Sequence, residues 1–323
     1  MNHCDKSRVL ALCGGVGGAK LALGLTHLLS PEQLTIVVNT GDDFEHFGLL
    51  VCPDLDTVTY TLAGISNTEV GWGRHDESWR CMETLQQLGA PTWFRLGDRD
   101  LGMHLARHDL LNQGKSLSEA TAIISGQLGV RHSIVPMSDA AVRTVLDTDD
   151  GRLSFQHYFV RERCRPVVNA CHFDGASEAR PSAAFRQALE DPQISAIIIC
   201  PSNPFVSVAP ILALPGVTEL LRLHPAPLIA VSPIVARQAI KGPTAKMMYE
   251  LGLDQSALGV FHHYGDLLDG FVIDELDREL LGQFPDPEKL ICCNTVMDSL
   301  QDRVDLAATC LEFSMHLNMP TEH

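Results

Sequence analysis

The chain has 323 residues, 45% of them hydrophobic, enough to bury a large core as one big domain or two ordinary ones. Its 40 acidic residues against 24 Lys and Arg leave a net charge of −16, which repels nucleic-acid backbones and argues against DNA or RNA as partners. Ten cysteines with no C-x-x-C spacing indicate neither a zinc site nor a disulfide framework, and a polar start with no apolar run near eighteen residues reads as a cytoplasmic protein with no membrane segment.

Residues 8–13 (RVLALC) form an apolar run that enters glycines, and Leu21, Leu25, Leu28 and Leu29 then recur at helical spacing, predicting strand, loop, helix. Residues 34–39 (LTIVVN) read as a second buried strand, and two such units in forty residues predict a parallel sheet with helical crossovers. From about 69 to 163 the character changes. Helices are expected over 75–88, 98–112 and 116–129, then a hairpin pairing 143–148 with 152–160 across Asp149-Asp150-Gly151. Strands over 194–200 (ISAIIIC), 228–232 (LIAVS), 270–273 and 289–294 follow, and a long helix over 298–317 packs on the sheet. The fold class is α/β: a Rossmann-like, doubly wound, mostly parallel sheet with a helical and hairpin insertion. Without a linker, repeat or low-complexity tract, the chain reads as one domain, with core 1–68 and 164–323 and a lid-like insertion 69–163.

Three loops at strand ends carry the chemistry. The first is Gly14-Gly15-Val16-Gly17-Gly18-Ala19-Lys20, where a glycine turn lets backbone N–H groups approach an anion and the following helix points its positive end at it. It is neither a Walker loop, because no Ser or Thr follows Lys20, nor a dinucleotide fingerprint, because Lys20 stands where the third glycine belongs and the second strand ends in Asn39 rather than an acid. The other two loops, Asn39-Thr40-Gly41-Asp42-Asp43 and Pro53-Asp54-Leu55-Asp56-Thr57, place four carboxylates within fifteen residues. Some of these aspartates cap helices or form turns in the ordinary way, but their mutual repulsion calls for a cation nearby. Metal ligation is assigned to Asp43 with Asp54 or Asp56.

Further along, Trp93 to Asp100 (WFRLGDRD) offers a phosphate or carboxylate clamp in Arg95 and Arg99 and an aromatic face in Trp93; a solvated helix start capped by Asp98 explains it equally well. Ser202 and Asn203 follow the strand 194–200, placed to read a base or ribose, and Lys241 is a candidate phosphate contact. The histidines are isolated and suggest neither a metal site nor a Ser-His-Asp arrangement.

Taken in order, CGGVGGAK, VNTGDD, PDLDT, WFRLGDRDL, PMSD, PSNPFVSVAPIL and SPIVARQAIKGPTAKMM resemble the 2-phospho-L-lactate transferase family, CofD, over about residues 9–264. The resemblance implies an enzyme of coenzyme F420 biosynthesis. Such enzymes transfer a phosphate with an attached three-carbon acid from a GDP-activated donor to the ribityl hydroxyl of the deazaflavin alcohol Fo, releasing GMP. It also implies a magnesium cofactor, small-molecule partners and, commonly in this family, a homodimer. By motif, Gly14, Gly15, Val16, Gly17, Gly18, Lys20, Ser202, Asn203 and Lys241 would face the nucleotide. Asp43, Asp54 and Asp56 would hold metal or orient Fo, with Arg95 and Trp93 beside Fo. Asp54, Asp56 and Lys20 would be catalytic, Asp56 steering the proton of the attacking hydroxyl. Where many members carry GGTGTPK, this chain has Gly-Gly-Val-Gly-Gly-Ala-Lys, which resembles the bacterial branch and favours phosphoenolpyruvate as the acid over 2-phospholactate or 3-phosphoglycerate. The rival is a regulatory nucleotide-sugar binder of the YvcK type; its paired aspartates are followed by a glycine- and serine-rich stretch, where this chain has Phe44-Glu45-His46-Phe47.

Overall fold

The computed structural model describes residues 7–69, 71–240 and 242–318. Seven parallel strands make the central sheet: β1 (Arg8–Cys13), β2 (Leu34–Val38), β3 (Ser133–Pro136), β4 (Ile194–Ile199), β5 (Leu228–Val231), β6 (Gly270–Asp274) and β7 (Leu290–Cys293). Their spatial order is β7-β6-β5-β4-β1-β2-β3. The chain therefore starts in the middle, winds to one edge, returns over β1 and winds to the other. The order reverses between β1 and β4, and in such sheets the ligand crevice opens at the carboxyl ends of those two strands.

Both faces of the sheet are covered, which explains the unbroken apolar runs in β1 and β4. The pleat sends alternate residues to opposite layers. Leu10, Leu12, Ile197 and Ile199 join one core, Val9, Ala11, Ala196 and Ile198 the other. The second layer holds α1 (Gly15–Leu28), α2 (Pro53–Leu62) and the terminal α4 (Leu300–Leu317), whose start is fixed by a reciprocal capping box of Ser299 and Asp302.

The stretch expected as an insertion returns to the sheet at its middle, because β3 pairs with β2 as the edge strand. Before it lie α3 (Asp98–Asn112), as expected, and a helix over Leu117–Gln127 with a Ser116–Glu119 capping box. The helix expected over 75–88 is shorter, Arg80–Gln87. The residues ahead of it cap instead: Glu77 accepts from the first-turn N–H groups of Arg99 and Asp100, each at 2.9 Å, while Asp98 accepts from Arg80 and Cys81 at 3.2 and 3.1 Å. Asp98 thus caps its neighbour rather than α3. The expected hairpin forms, Arg143–Thr148 against Gly151–Ser154, but stops short of residue 160; the chain turns through a π-helical segment, His157–Arg161, and Val168–Asp174 completes a three-stranded antiparallel sheet. Among the described residues no single helix is long and apolar enough to cross a membrane.

Helix α3 carries an unforced weakness. Gly102 lies exposed in its interior with no atom within 4 Å of where a Cβ would be. Since Ala is favoured over Gly in a helix interior by about 1 kcal/mol, Gly102→Ala raises the urea midpoint without touching activity.

Candidate active site

At the β1/β4 switch the two strand-end loops lock together. The Ser202 hydroxyl accepts from the Gly14 N–H at 3.1 Å and donates to the Gly14 carbonyl at 2.8 Å. One turn later Gly17 passes so close to the other loop that a Cβ there would lie 2.2 Å from the Pro201 carbonyl oxygen. Gly15 takes a left-handed φ of 63°, which glycine adopts without strain. These contacts hold the N-terminus of α1 against a cavity of about 570 Å³ lined by Gly14 to Gly17. The first-turn N–H groups of α1 have no intrahelical partners, and Gly15 spends its own on Asp54 Oδ1 at 2.7 Å.

Two carboxylates stand on the cavity wall beside that helix end: Asp54, in the first turn of α2, and Asp42, in the loop after β2. One amide serves both. Asn39 Nδ2 lies 3.2 Å from Asp42 Oδ1, 3.0 Å from Asp54 Oδ2 and 3.2 Å from the Val206 carbonyl. Gln156, buried in the same wall, donates to Asp42 Oδ2 at 3.2 Å. Burial pushes the Asp54 carboxyl up to about 6 against the pull of Asn39, Gly15 and Ser207. Burial, with Asp54 and Asp43 adding repulsion, drives Asp42 well above the carboxylate range. Such a pair is short of positive charge, which is what a divalent cation supplies.

The other aspartates point elsewhere. Asp43 is buried off the cavity, its Oδ1 without a hydrogen-bond partner among the described residues; burial raises it to about 8 although Arg143, the Cys52 thiol and Arg107 draw it down. Asp56 follows Asp54 by two residues on α2, a spacing that turns side chains to different faces of a helix. It forms a buried two-point ion pair with Arg107 of α3. His104 stands 3.7 Å from Asp56 and 3.4 Å from Asp100, which accepts from Tyr60 at 2.5 Å. That network joins α2 to α3. Burial opposes the Arg107 charge, and Asp56 and its neighbours more than offset it, keeping the guanidinium protonated.

Part of the cavity wall is aromatic: Phe155 and Phe159 stack at 5.5 Å and 8° around the start of the π-helical segment, and Phe94, Arg95 and Trp72 are among the lining residues. The Arg95 guanidinium lies 4.4 Å over the Trp79 ring. Trp93 sits behind this wall, edge-on to Phe94 at 5.7 Å and His157 at 4.6 Å. Lys20 and Asn203 line the cavity but have partners. Lys20 Nζ donates to the Met297 carbonyl at 2.6 Å, and Asn203 Oδ1 caps the π-helical turn Pro204–Val208 through Phe205 at 2.9 Å. Gly18 packs beneath, where a Cβ would meet Ser202 Oγ at 2.7 Å. Lys241 lies outside the described residues.

Of the sequence candidates, then, the cavity brings together Gly14, Gly15, Val16, Gly17, Lys20, Asp54, Arg95, Ser202 and Asn203, and leaves out Gly18, Asp43, Asp56 and Trp93. Asp42, which the sequence reading did not include among the metal candidates, lines the cavity where Asp43 does not. Sequence reasoning did not single out Gln156 or the Phe155–Phe159 stack. Among the described residues no group of three or more His, Cys, Asp or Glu is placed to hold a metal, so any cation here draws on a carboxylate pair and ligands of its own.

The family model for 2-phospho-L-lactate transferase CofD matches residues 9–286. The chain is similar to a phosphoenolpyruvate transferase of Kitasatospora aureofaciens, 38% identical over 84% of this chain and 86% of that protein. It is also similar to a 2-phospho-L-lactate transferase of Methanosarcina mazei, 37% identical over 93% and 98%. In fold it resembles the crystal structure of a UPF0052-family protein from Bacillus halodurans, with TM-score 0.61 and 16% identity over 94% of this chain and 98% of that one.

Proposed function

This chain belongs to the 2-phospho-L-lactate transferase CofD family, a family of transferases, and we propose that it moves a phosphate bearing a three-carbon acid from a GDP-activated donor to the ribityl hydroxyl of Fo, releasing GMP, in coenzyme F420 biosynthesis. The observation that carries this reading is the mixed lining of the cavity: a helix N-terminus and a carboxylate pair, suited to a metal-bound diphosphate, together with stacked phenylalanines, suited to a flat tricyclic ring. Phosphoenolpyruvate is the favoured acid, supported by the Gly-Gly-Val-Gly-Gly-Ala-Lys loop and by the relatives named for that acid at 38–40% identity.

Magnesium fits the donor set. Asp42 and Asp54 offer hard oxygens, both short of positive charge, and magnesium is commonly held by one or two carboxylates together with substrate phosphates. When bound there it would neutralise charge on the diphosphate. The chain's own groups do the rest by positioning. The α1 first turn, with Lys20 beside it, faces the phosphates; Phe155, Phe159 and Arg95 face the ring. The Fo hydroxyl oxygen attacks the phosphorus that carries the acid, the bond from that phosphorus to the GMP oxygen breaks, and its electron pair leaves with GMP. The hydroxyl proton passes to water; Asp54, placed on the cation, contributes charge and position, and Asp56, which Arg107 occupies, is not free to take it.

Binding separates this reading from its rivals. In calorimetry with magnesium, GDP binds at least about a hundredfold more tightly than NAD or a uridine-diphosphate sugar, about 2.7 kcal/mol, and Fo binds as well. Tight binding of the sugar nucleotide with no Fo binding would move the protein to the regulatory class.

A further inference from the structure

We propose that Gln156 is a positioning residue that sets the Asp42 carboxylate for cation binding; the inference rests on the reading above that Asp42 and Asp54 hold the metal. Counting donors makes the case. Asn39 has two amide protons and faces three acceptors, Asp42, Asp54 and the Val206 carbonyl, all within 3.2 Å. Asp54 also accepts from the Gly15 N–H at 2.7 Å, whereas Asp42 would have only its share of the Asn39 amide, in a site where burial already disfavours both charges. Gln156 supplies the missing donor. Its Nε2 reaches Asp42 Oδ2 at 3.2 Å and lies 3.4 Å from the Asp42 carbonyl, so one amide fixes both the side chain and the backbone of the residue.

The placement of Gln156 is as specific as its contacts. It is 4% exposed and sits at the N-cap of the π-helical segment, between Phe155 and Phe159 of the aromatic wall. The aspartate loop belongs to the central sheet, whereas Gln156 comes from the chain that follows the antiparallel hairpin. A π-helical segment holds an extra residue per turn, a distortion that recurs at functional sites. Here it begins beside the one side chain of this layer that donates to Asp42. Partners of metal ligands commonly govern metal affinity by ten- to a hundredfold.

The test uses Mn2+ alone as the probe, titrated into the full-length protein and followed by the electron paramagnetic resonance signal of free Mn2+. Gln156→Met keeps length and volume and removes the donor. It weakens Mn2+ binding about tenfold and leaves metal-free GDP binding within about twofold. On an Asp42→Asn background the same change has no further effect, because Gln156 acts through Asp42. Unchanged Mn2+ affinity in Gln156→Met, or effects that simply add in the double variant, overturn the proposal. Equal loss of Mn2+ and metal-free GDP binding marks Gln156 as a packing residue and overturns it too. If Asp54→Asn leaves the Mn2+ affinity of the protein unaltered, the metal reading itself falls and takes this proposal with it, an outcome distinct from failure at Gln156 alone.

Discussion

Asp54→Asn yields a folded protein with kcat reduced about a thousandfold, the scale of losing a positioned charge. The amide oxygen still accepts from Gly15, so the turn into α1 survives; what disappears is the negative charge facing the cavity and the bond that Oδ2 accepts from Asn39, where an NH2 donor now stands. Stability does not follow rate. The folded Asp54 carboxyl titrates near 6, above the ordinary 3.8, so its ionisation costs folding free energy. That cost is fully present above about pH 6, shrinks as pH falls through 6 and is gone below about 3.8, and for a shift of this size it is on the order of 3 kcal/mol. At pH 7.5 in metal-free buffer the relief of that cost offsets the lost bond from Asn39, and Asp54→Asn melts in urea at about the wild-type midpoint. Asp56→Asn behaves in the opposite sense. It leaves the buried Arg107 without its counter-charge and costs about 3–5 kcal/mol, while the fraction that folds retains turnover. Rate and urea melts on both variants decide it; equal losses of rate and stability at Asp54 contradict the assignment.

Gly17→Ala removes nucleotide binding and destabilises the fold together. A methyl at this position meets the backbone carbonyl of Pro201 at 2.2 Å, and neither partner is a flexible side chain that can swing aside. The α1 start and the loop after β4 must separate, which strains the Ser202–Gly14 hydrogen bonds and withdraws the first-turn N–H groups from the cavity. The expected cost is about 2–4 kcal/mol, the range of overpacking compounded by lost hydrogen bonds. GDP binding becomes undetectable by calorimetry at concentrations that saturate the wild type. Gly102→Ala, the same chemical change in open space, stabilises; the contrast separates a steric requirement from a general preference for glycine.

The parts of the fold visible in sequence are those set by local pattern. β1, β2, β4 and β5 are unbroken apolar runs because both faces of the sheet are covered, and such runs announce themselves. β3 escaped notice because Ser133–Pro136 is four residues long and ends in proline, a composition tolerated at a sheet edge and indistinguishable from a loop. The glycine loop was legible as the turn from β1 into α1 because strand, glycines and helix occur consecutively in the chain. The choice among aspartates was only partly legible. Asp54 and Asp56 are two apart on one helix, so they could not both face the cavity, and that signal was present in the spacing. Which one turned away depended on Arg107, fifty-one residues distant, and no local pattern encodes such a partner. Asp42 and Asp43 are adjacent in a loop, where side-chain direction follows from tertiary contacts: Asn39 and Gln156 hold Asp42 on the cavity side. Gln156 fell within a predicted strand, because a π-helical segment differs from its surroundings by hydrogen-bond register and leaves no periodicity to read.

Mass spectrometry of the reaction itself decides whether the chain is this transferase. Purified protein is incubated with magnesium and Fo and offered, in parallel, GDP-activated phosphoenolpyruvate, 2-phospholactate and 3-phosphoglycerate. An Fo adduct carrying the phosphate-linked acid is expected, formed fastest from the phosphoenolpyruvate donor, with one GMP released per adduct and both products about a thousandfold slower from Asp54→Asn. Folded protein that binds GDP and Fo yet forms no adduct and releases no GMP from any of the three donors would contradict it.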